Sequence, residues 1–317
     1  MGGMKMNNSD ILFLYDAKLT NPNGDIDEEN RPRMDYERSL NLVSDVRLKR
    51  YIRDYLEQLG NEIFVGKVDG ETVNATERIK RLFEKKYNGK VNLNKLSKEE
   101  QNWMLDQFID VRMFGATMPI KSEDKGSSMT FTGPIQFNWG YSLNKVTLVE
   151  SASITSHFGS DDKNEGGNIG KDYRVYYSFL AFHGVISGHR AAHTRLTEED
   201  VRLFDQAVVK AIPLSATRSK VGQYPRLYMR VEYHSPEFIA GDLRDLVRLE
   251  ETEGLRSISE VSLHVDALVN KLLEVNGEIA RIHYWQDSNL VLNYEGQKGL
   301  LADLLPSELA DKLVPVL

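Results

Sequence analysis

The sequence predicts an α+β protein, and three observations carry that reading. An apolar run over 10–19 has no polar face and reads as a strand buried inside a sheet. Two segments, 36–59 and 197–212, repeat apolar residues at helical spacing. Further β-prone runs at 132–141, 174–186 and 227–233 fall between and after those helices. Strand, helix, strands, helix, strand in that order fits a ferredoxin-like, or RNA-recognition-like, core decorated by insertions. The chain has no internal repeat.

In the first strand Ile11, Phe13 and Tyr15 take one face and Leu12 and Leu14 the other. A polar stretch from Thr20 to Asp35 follows. Its Asn21-Pro22 and Asn23-Gly24 pairs are turn dipeptides, and Pro32 keeps it extended. The helix predicted over 36–59 is written by Leu40, Val43, Val46, Leu48, Ile52, Tyr55, Leu56 and Leu59 and stops at Gly60. Residues 61–130 read as an insertion. It holds a short strand at 62–65, helices at 76–87 and 98–109, a return strand from Asp110, and a flexible Gly126-Ser127-Ser128 link. An extended segment at 143–155 precedes Ser156–Lys171, a polar, glycine-rich excursion with Phe158 and Ile169 embedded in it. Flanked by β-prone runs, that excursion predicts a protruding hairpin. Thr197 supplies a capping hydroxyl ahead of Glu198, Glu199 and Asp200, so the second core helix starts there and runs to about Ile212. The C-terminal region adds a helix at 259–273 and a strand at 279–285.

The 317 residues, 41% apolar and 27% charged, are those of a soluble globular protein. No apolar run reaches the roughly 18 residues of a membrane span, and residues 1–10 lack a signal-peptide core. The absence of cysteine excludes disulfides, thiol nucleophiles and cysteine metal sites. A cytoplasmic location without membrane attachment is expected. The net charge of −7 hides an uneven distribution. Residues 31–53 carry seven basic and three acidic side chains, 171–230 ten and five, and 231–317 seven and sixteen. A basic face on an acidic body suits a nucleic-acid binder, whereas the same charges on solvated helix faces would do nothing.

Enzyme signatures mostly fail. His189 and His193 have helical metal spacing, but Arg190 stands where a zinc protease needs glutamate, and the segment reads as a loop. Glu165–Asp172 lacks the first glycine and the hydroxyl of a phosphate-binding loop. Asp25, Asp27, Glu28 and Glu29 do not fit a calcium loop, because Asn30 and Tyr36 occupy the glycine and final glutamate positions. No metal, cofactor or catalytic residue is expected. The binding reading fares better. Asn21, Asn23, Arg31 and Arg33 gather at the foot of a helix whose Arg47 and Arg50 share a face. Arg112 and Lys121 bracket the return strand, and Lys171, Arg174, Arg190, Arg218, Lys220 and Arg226 add donors later. Phe114, Phe137, Trp139, Tyr173, Tyr176 and Tyr177 interleave with these as stacking or core residues.

Taken together, Asn21-Pro-Asn-Gly-Asp25, Arg33-Met-Asp35, Asp110–Thr117, Thr132–Gln136 and Tyr173–Tyr177 resemble the backbone subunit of type I CRISPR surveillance complexes (Cascade), the seventh Cas family, in its subtype I-B branch. The resemblance implies a right-hand-like shape. An RNA-recognition-like palm would take 1–60 and 131–317, helical fingers 61–130, and a hairpin thumb about 155–172. It also implies a non-catalytic protein that polymerises along CRISPR RNA and leaves the guide free to pair with target DNA. Its partners would be further copies of itself and other Cascade subunits. Phe158 or Ile169 would wedge beside a displaced base. A related group cleaves RNA with a loop aspartate, which leaves a metal-dependent ribonuclease using Asp25 or Asp27 as one alternative. A general single-stranded RNA binder is another.

Overall fold

The computed structural model describes residues 6–66, 71, 73–87, 93, 96–120, 127–150, 153–156 and 168–317. The chain opens with β1 (Ser9–Thr20) and, after the polar loop, β2 (Leu40–Val43) and α1 (Asp45–Gln58). The helix therefore starts at Asp45 and not at 36. Leu42 and Val43 are claimed by a sheet ladder opposite Tyr141 and Gly140, and Ser44 caps α1 by accepting from the Arg47 amide at 3.3 Å. Pairing in the sheet overrides the helical spacing of Leu40 and Val43.

Three helices follow: α2 (Ala75–Tyr87), α3 (Lys98–Gln107) with a Ser97/Glu100 capping box, and α4 (Ile109–Phe114). Residues 62–65 form no strand. The Phe64 and Val65 amides donate instead to the Asp110 carboxylate, at 2.8 and 3.1 Å. The return strand is delayed to β3 (Gly115–Ile120), which pairs with β4 (Ser127–Thr132), so Ser127 and Ser128 belong to a strand and not to a flexible link. Gly115 makes the corner at φ +77°, with the Phe131 carbonyl where a side chain would stand.

Next come β5 (Ile135–Phe137), β6 (Gly140–Ser142), and a hairpin of β7 (Ser153–Ser156) with β8 (Asn168–Lys171). β9 (Val175–Ile186) leads into α5 (Gly188–Thr194), a short helix capped by Ser187 where a histidine-bearing loop is expected. α6 (Glu198–Leu214) starts at the predicted Thr197 cap, and β10 (Gln223–Tyr233) completes the core. The acidic C-terminal region contains α7 (Asp266–Glu274), β11 (Ile279–Gln286) and β12 (Leu313–Pro315). α7 starts later than 259 because Ser262–His264 joins a small sheet with Arg248–Leu249, Val291–Tyr294 and Gln297–Gly299.

The main sheet runs β12-β11-β10-β1-β9-β6-β2, extended past β2 by Met34–Asp35, while β5 also pairs with β9. Every ladder is antiparallel except β11 with β12. Phe13 faces Phe182 of β9 on one side and Tyr228 of β10 on the other. Both faces of the sheet are covered. Ile11, Phe13 and Tyr15 pack against α1 and α6 through Leu48, Ile52, Phe204 and Val208. Leu12, Leu14, Phe179 and Met229 pack against α7 and the small sheet through Leu263, Leu268 and Leu292, and against Leu243 in a short turn of helix. Each such side chain contributes about 1.5–3 kcal/mol by leaving water. A third cluster, including Phe64, Ile79, Phe83, Met104 and Phe108, holds the helical lobe together. Asp110 ties that lobe to α1, accepting from Arg53 Nε at 2.9 Å as well as from the two amides. Among the described residues no helix is long and apolar enough to cross a membrane.

Candidate nucleic-acid interface

The loop between β1 and β2 is a rigid object built largely from its own asparagines. Asn21 is almost wholly buried; its backbone N–H donates to the Ser219 carbonyl at 3.0 Å, and its side chain donates to the Asn30 carbonyl at 2.7 Å. Asn23 Oδ1 accepts from both the amide and the hydroxyl of Ser44, each at 2.9 Å, which locks the loop to the cap of α1. Both side chains shape the loop, although Asn21 Oδ1 is buried without a hydrogen-bond partner.

Most of the predicted cations have carboxylate partners. Arg33 meets Asp25 at 2.8 Å, Arg50 meets Asp54 at 2.7 Å and Lys171 meets Glu29 at 2.6 Å. Arg174 grips Asp172 at 2.8 Å and the Leu19 carbonyl at 2.7 Å, and Arg218 shares Asp172 at 3.2 Å. Arg112 lies on α4 and not beside a strand. It clasps Asp200 of the α6 cap with two contacts at 2.9 and 2.7 Å and donates to the Leu105 and Asp106 carbonyls. Arg31 stands exposed over the Tyr173 ring, 4.7 Å from its centre. The loop and the base of the β7–β8 hairpin thus meet, through Arg31, Tyr173, Glu29 and Lys171. The Lys171 ammonium, then Tyr173, hold the Glu29 carboxyl below its usual range. Lys121 and Phe158 lie outside the described residues, as does the side chain of Ile169.

Arg47 is different. Its guanidinium lies 4.2 Å over the Tyr51 ring, its Nε is buried without a hydrogen-bond partner, and no carboxylate among the described residues pairs with it. Beside it is Lys220, whose Nζ donates to the Asn21 carbonyl and to the Pro22 carbonyl at 3.1 Å. Burial first, and the Arg47 charge second, push the Lys220 ammonium down to about 7. The turn that brings Lys220 there passes through Gly222, at φ +105° against the Lys18 carbonyl. Arg47 and Lys220 thus lie within electrostatic reach of each other with no carboxylate partner among the described residues, an arrangement that could receive an anion. In the sequence Lys220 is one donor among several. Its place beside Arg47, across a separation of more than 170 residues, is a property of the sheet order alone.

Of the interleaved aromatics, Phe114, Phe137 and Tyr177 are buried core, whereas Trp139 is exposed and Tyr173 and Tyr176 half-buried. Asp25 is engaged by Arg33, and among the described residues no group of three or more His, Cys, Asp or Glu side chains could hold a metal ion. His189 and His193 lie exposed on α5.

The family model of the CRISPR-associated protein Cas7 matches residues 7–266. A curated Cas7 of Haloferax volcanii is 35% identical over 325 residues, covering 96% of this chain and 94% of that protein. Among solved structures, a chain of a CRISPR RNA-guided surveillance complex is similar at 14% identity and a TM-score of 0.49, covering 88% of both chains. A pre-nicking form of such a complex is similar at 13% identity and a TM-score of 0.49, over 88% of this chain and 92% of that one.

Proposed function

The chain belongs to the Cas7 family of CRISPR-associated proteins, and on that premise we propose that it is a non-catalytic subunit that coats CRISPR RNA in a type I surveillance complex, of subtype I-B. The sheet with α1 and α6 serves as an RNA-recognition-like palm, 61–130 as fingers and the β7–β8 hairpin as the base of a thumb. Copies line up head to tail along the guide beside other Cascade subunits in the cytoplasm, and the guide's bases remain free to pair with target DNA.

The observation that supports guide binding most directly is the Arg47–Lys220 pair, two neighbouring cations without a carboxylate. A protein that must hold any guide sequence has to grip phosphates and sugars and not base edges. Arg31, over Tyr173 at the base of the hairpin, offers a second charge of the same kind. Arg33, Arg50, Lys171 and Arg174 contact RNA only by exchanging or sharing their present carboxylates, and Arg112 is a brace for α6.

Two measurements test this reading. Purified protein should carry RNA of uniform length, and R47E with K220E should release it. Each removed phosphate contact should lower the slope of log affinity against log salt by about one. Unchanged retention and slope in the double variant would sink the assignment. Complementary RNA incubated with the assembled complex and magnesium should stay intact; regularly spaced cuts lost in D25A or D27A would make the protein a ribonuclease.

A further inference from the structure

We infer that Trp139 is a stacking platform for an unpaired nucleobase, an inference that rests on the RNA-binding reading above. The chain has three tryptophans. Trp103 packs at 5.2 Å against Phe83 in the helical lobe, and Trp285 is packed against the main core. Trp139 alone is turned outward, 44% exposed, in the two-residue link between β5 and β6.

The ring is exposed but its backbone is fixed. The Trp139 amide donates to Asn138 Oδ1 at 2.8 Å, and the Asn138 amide donates to the His183 carbonyl of β9 at 3.0 Å. The Trp139 carbonyl accepts from Arg244 at 2.7 Å. Arg244 is itself buried, bound to Asp242 at 2.9 Å and laid over the Tyr141 ring at 4.7 Å. On the far side of Trp139, Gly140 presses on the Phe182 ring so closely that no side chain fits there. The indole is therefore presented by an immobile support, and little conformational freedom is lost when something stacks on it.

The Arg33 guanidinium, held by Asp25, lies over the indole, 5.8 Å from its centre, and brings the β1–β2 loop against the ring. Arg33, already paired with Asp25, meets an RNA chain's phosphates only by sharing that carboxylate, whereas the exposed indole suits a flat π-system. Every base has such a face, so stacking tolerates any guide sequence, as a subunit serving many spacers requires.

The test uses the full chain with oligo(A), oligo(U) and an abasic ribose–phosphate oligomer of the same length, reading intrinsic tryptophan fluorescence and affinity. Oligo(A) and oligo(U) should quench the wild type, and the abasic oligomer should bind without that quench. W139F should lose most of the quench yet keep affinity close to wild type. W139A, checked for folding by thermal melting, should bind oligo(A) and oligo(U) about five- to a hundredfold more weakly and the abasic oligomer unchanged. If W139A fails to fold, the W139F quench decides. Full quench in W139F, equal losses on abasic and base-bearing RNA, or wild-type affinity in W139A would overturn the inference. So would quenching by protein concentration alone, lost together with self-association in W139A, which makes the indole a protein contact. Intact RNA binding with no quench removes only the platform; no binding of any oligomer by the wild type removes the RNA reading itself.

Discussion

If the Arg47–Lys220 pair receives RNA as proposed, Lys220 makes that binding depend on pH. Its ammonium titrates near 7 in the free protein, against an ordinary value of 10.5. Between those values the unfolded chain holds a proton that the folded chain does not, so stability of the RNA-free protein rises with pH across that window. Below about 7 both states hold it, and the burial penalty is felt in full. A phosphate seated against Lys220 and Arg47 holds the amine charged, so binding takes up a proton. RNA affinity should then fall by close to tenfold per pH unit above about 7. K220Q should bind more weakly at pH 6.5 and lose the pH dependence; equal dependence in K220Q would show that another group titrates. The hydroxyl that caps α1 is an independent lever. Ser44→Ala removes the cap of α1 and one of the two anchors of Asn23. It should cost about 1 kcal/mol in denaturant unfolding.

At the scale of elements, the joint between the helical lobe and the sheet depends on Asp110. Asp110→Ala leaves the Arg53 guanidinium and the Phe64 and Val65 amides without their acceptor. A loss of about 3–5 kcal/mol is expected in chemical denaturation, whereas replacing Arg53 and Asp110 together by Met and Leu should recover much of it. The same elements show how far a sequence reaches. β1, the Thr197 cap of α6, α2 and the strands at 175–186 and 223–233 are legible because periodicity and capping are local. Residues 36–43 mislead, since Leu40 and Val43 keep helical spacing while their amides and carbonyls are taken by a sheet edge. The missing strand at 62–65 fails likewise: its backbone satisfies itself on a carboxylate 45 residues away. At the candidate site Arg47 is legible as a cation on a helix face. That Arg50, Lys171 and Arg174 are already partnered is not, because Asp54, Glu29 and Asp172 acquire their roles only from the fold.

For the whole molecule, head-to-tail assembly needs two unlike, complementary surfaces on one chain. The seven basic and sixteen acidic residues of 231–317, against the basic segments before them, offer such a pair. If the chain assembles in rows along RNA as proposed, reversing a group of exposed C-terminal acids, for example Glu251, Glu253 and Glu295, should shorten or abolish those rows in electron micrographs. Rows of unaltered length would remove charge pairing as the cause. Finally, the main sheet is covered on both faces, by α1 and α6 on one side and by α7 and the small sheet on the other. Among the described residues the faces of this sheet are packed, so the proposed contact with RNA falls to the loops and helix surfaces around it. Damage by mutation should therefore separate by address. Strand substitutions should reduce yield and melting temperature, while substitutions at Arg47 on α1, Lys220 or Trp139 should leave a protein that purifies normally and fails only when RNA is offered. A selection for soluble expression would be blind to the second kind.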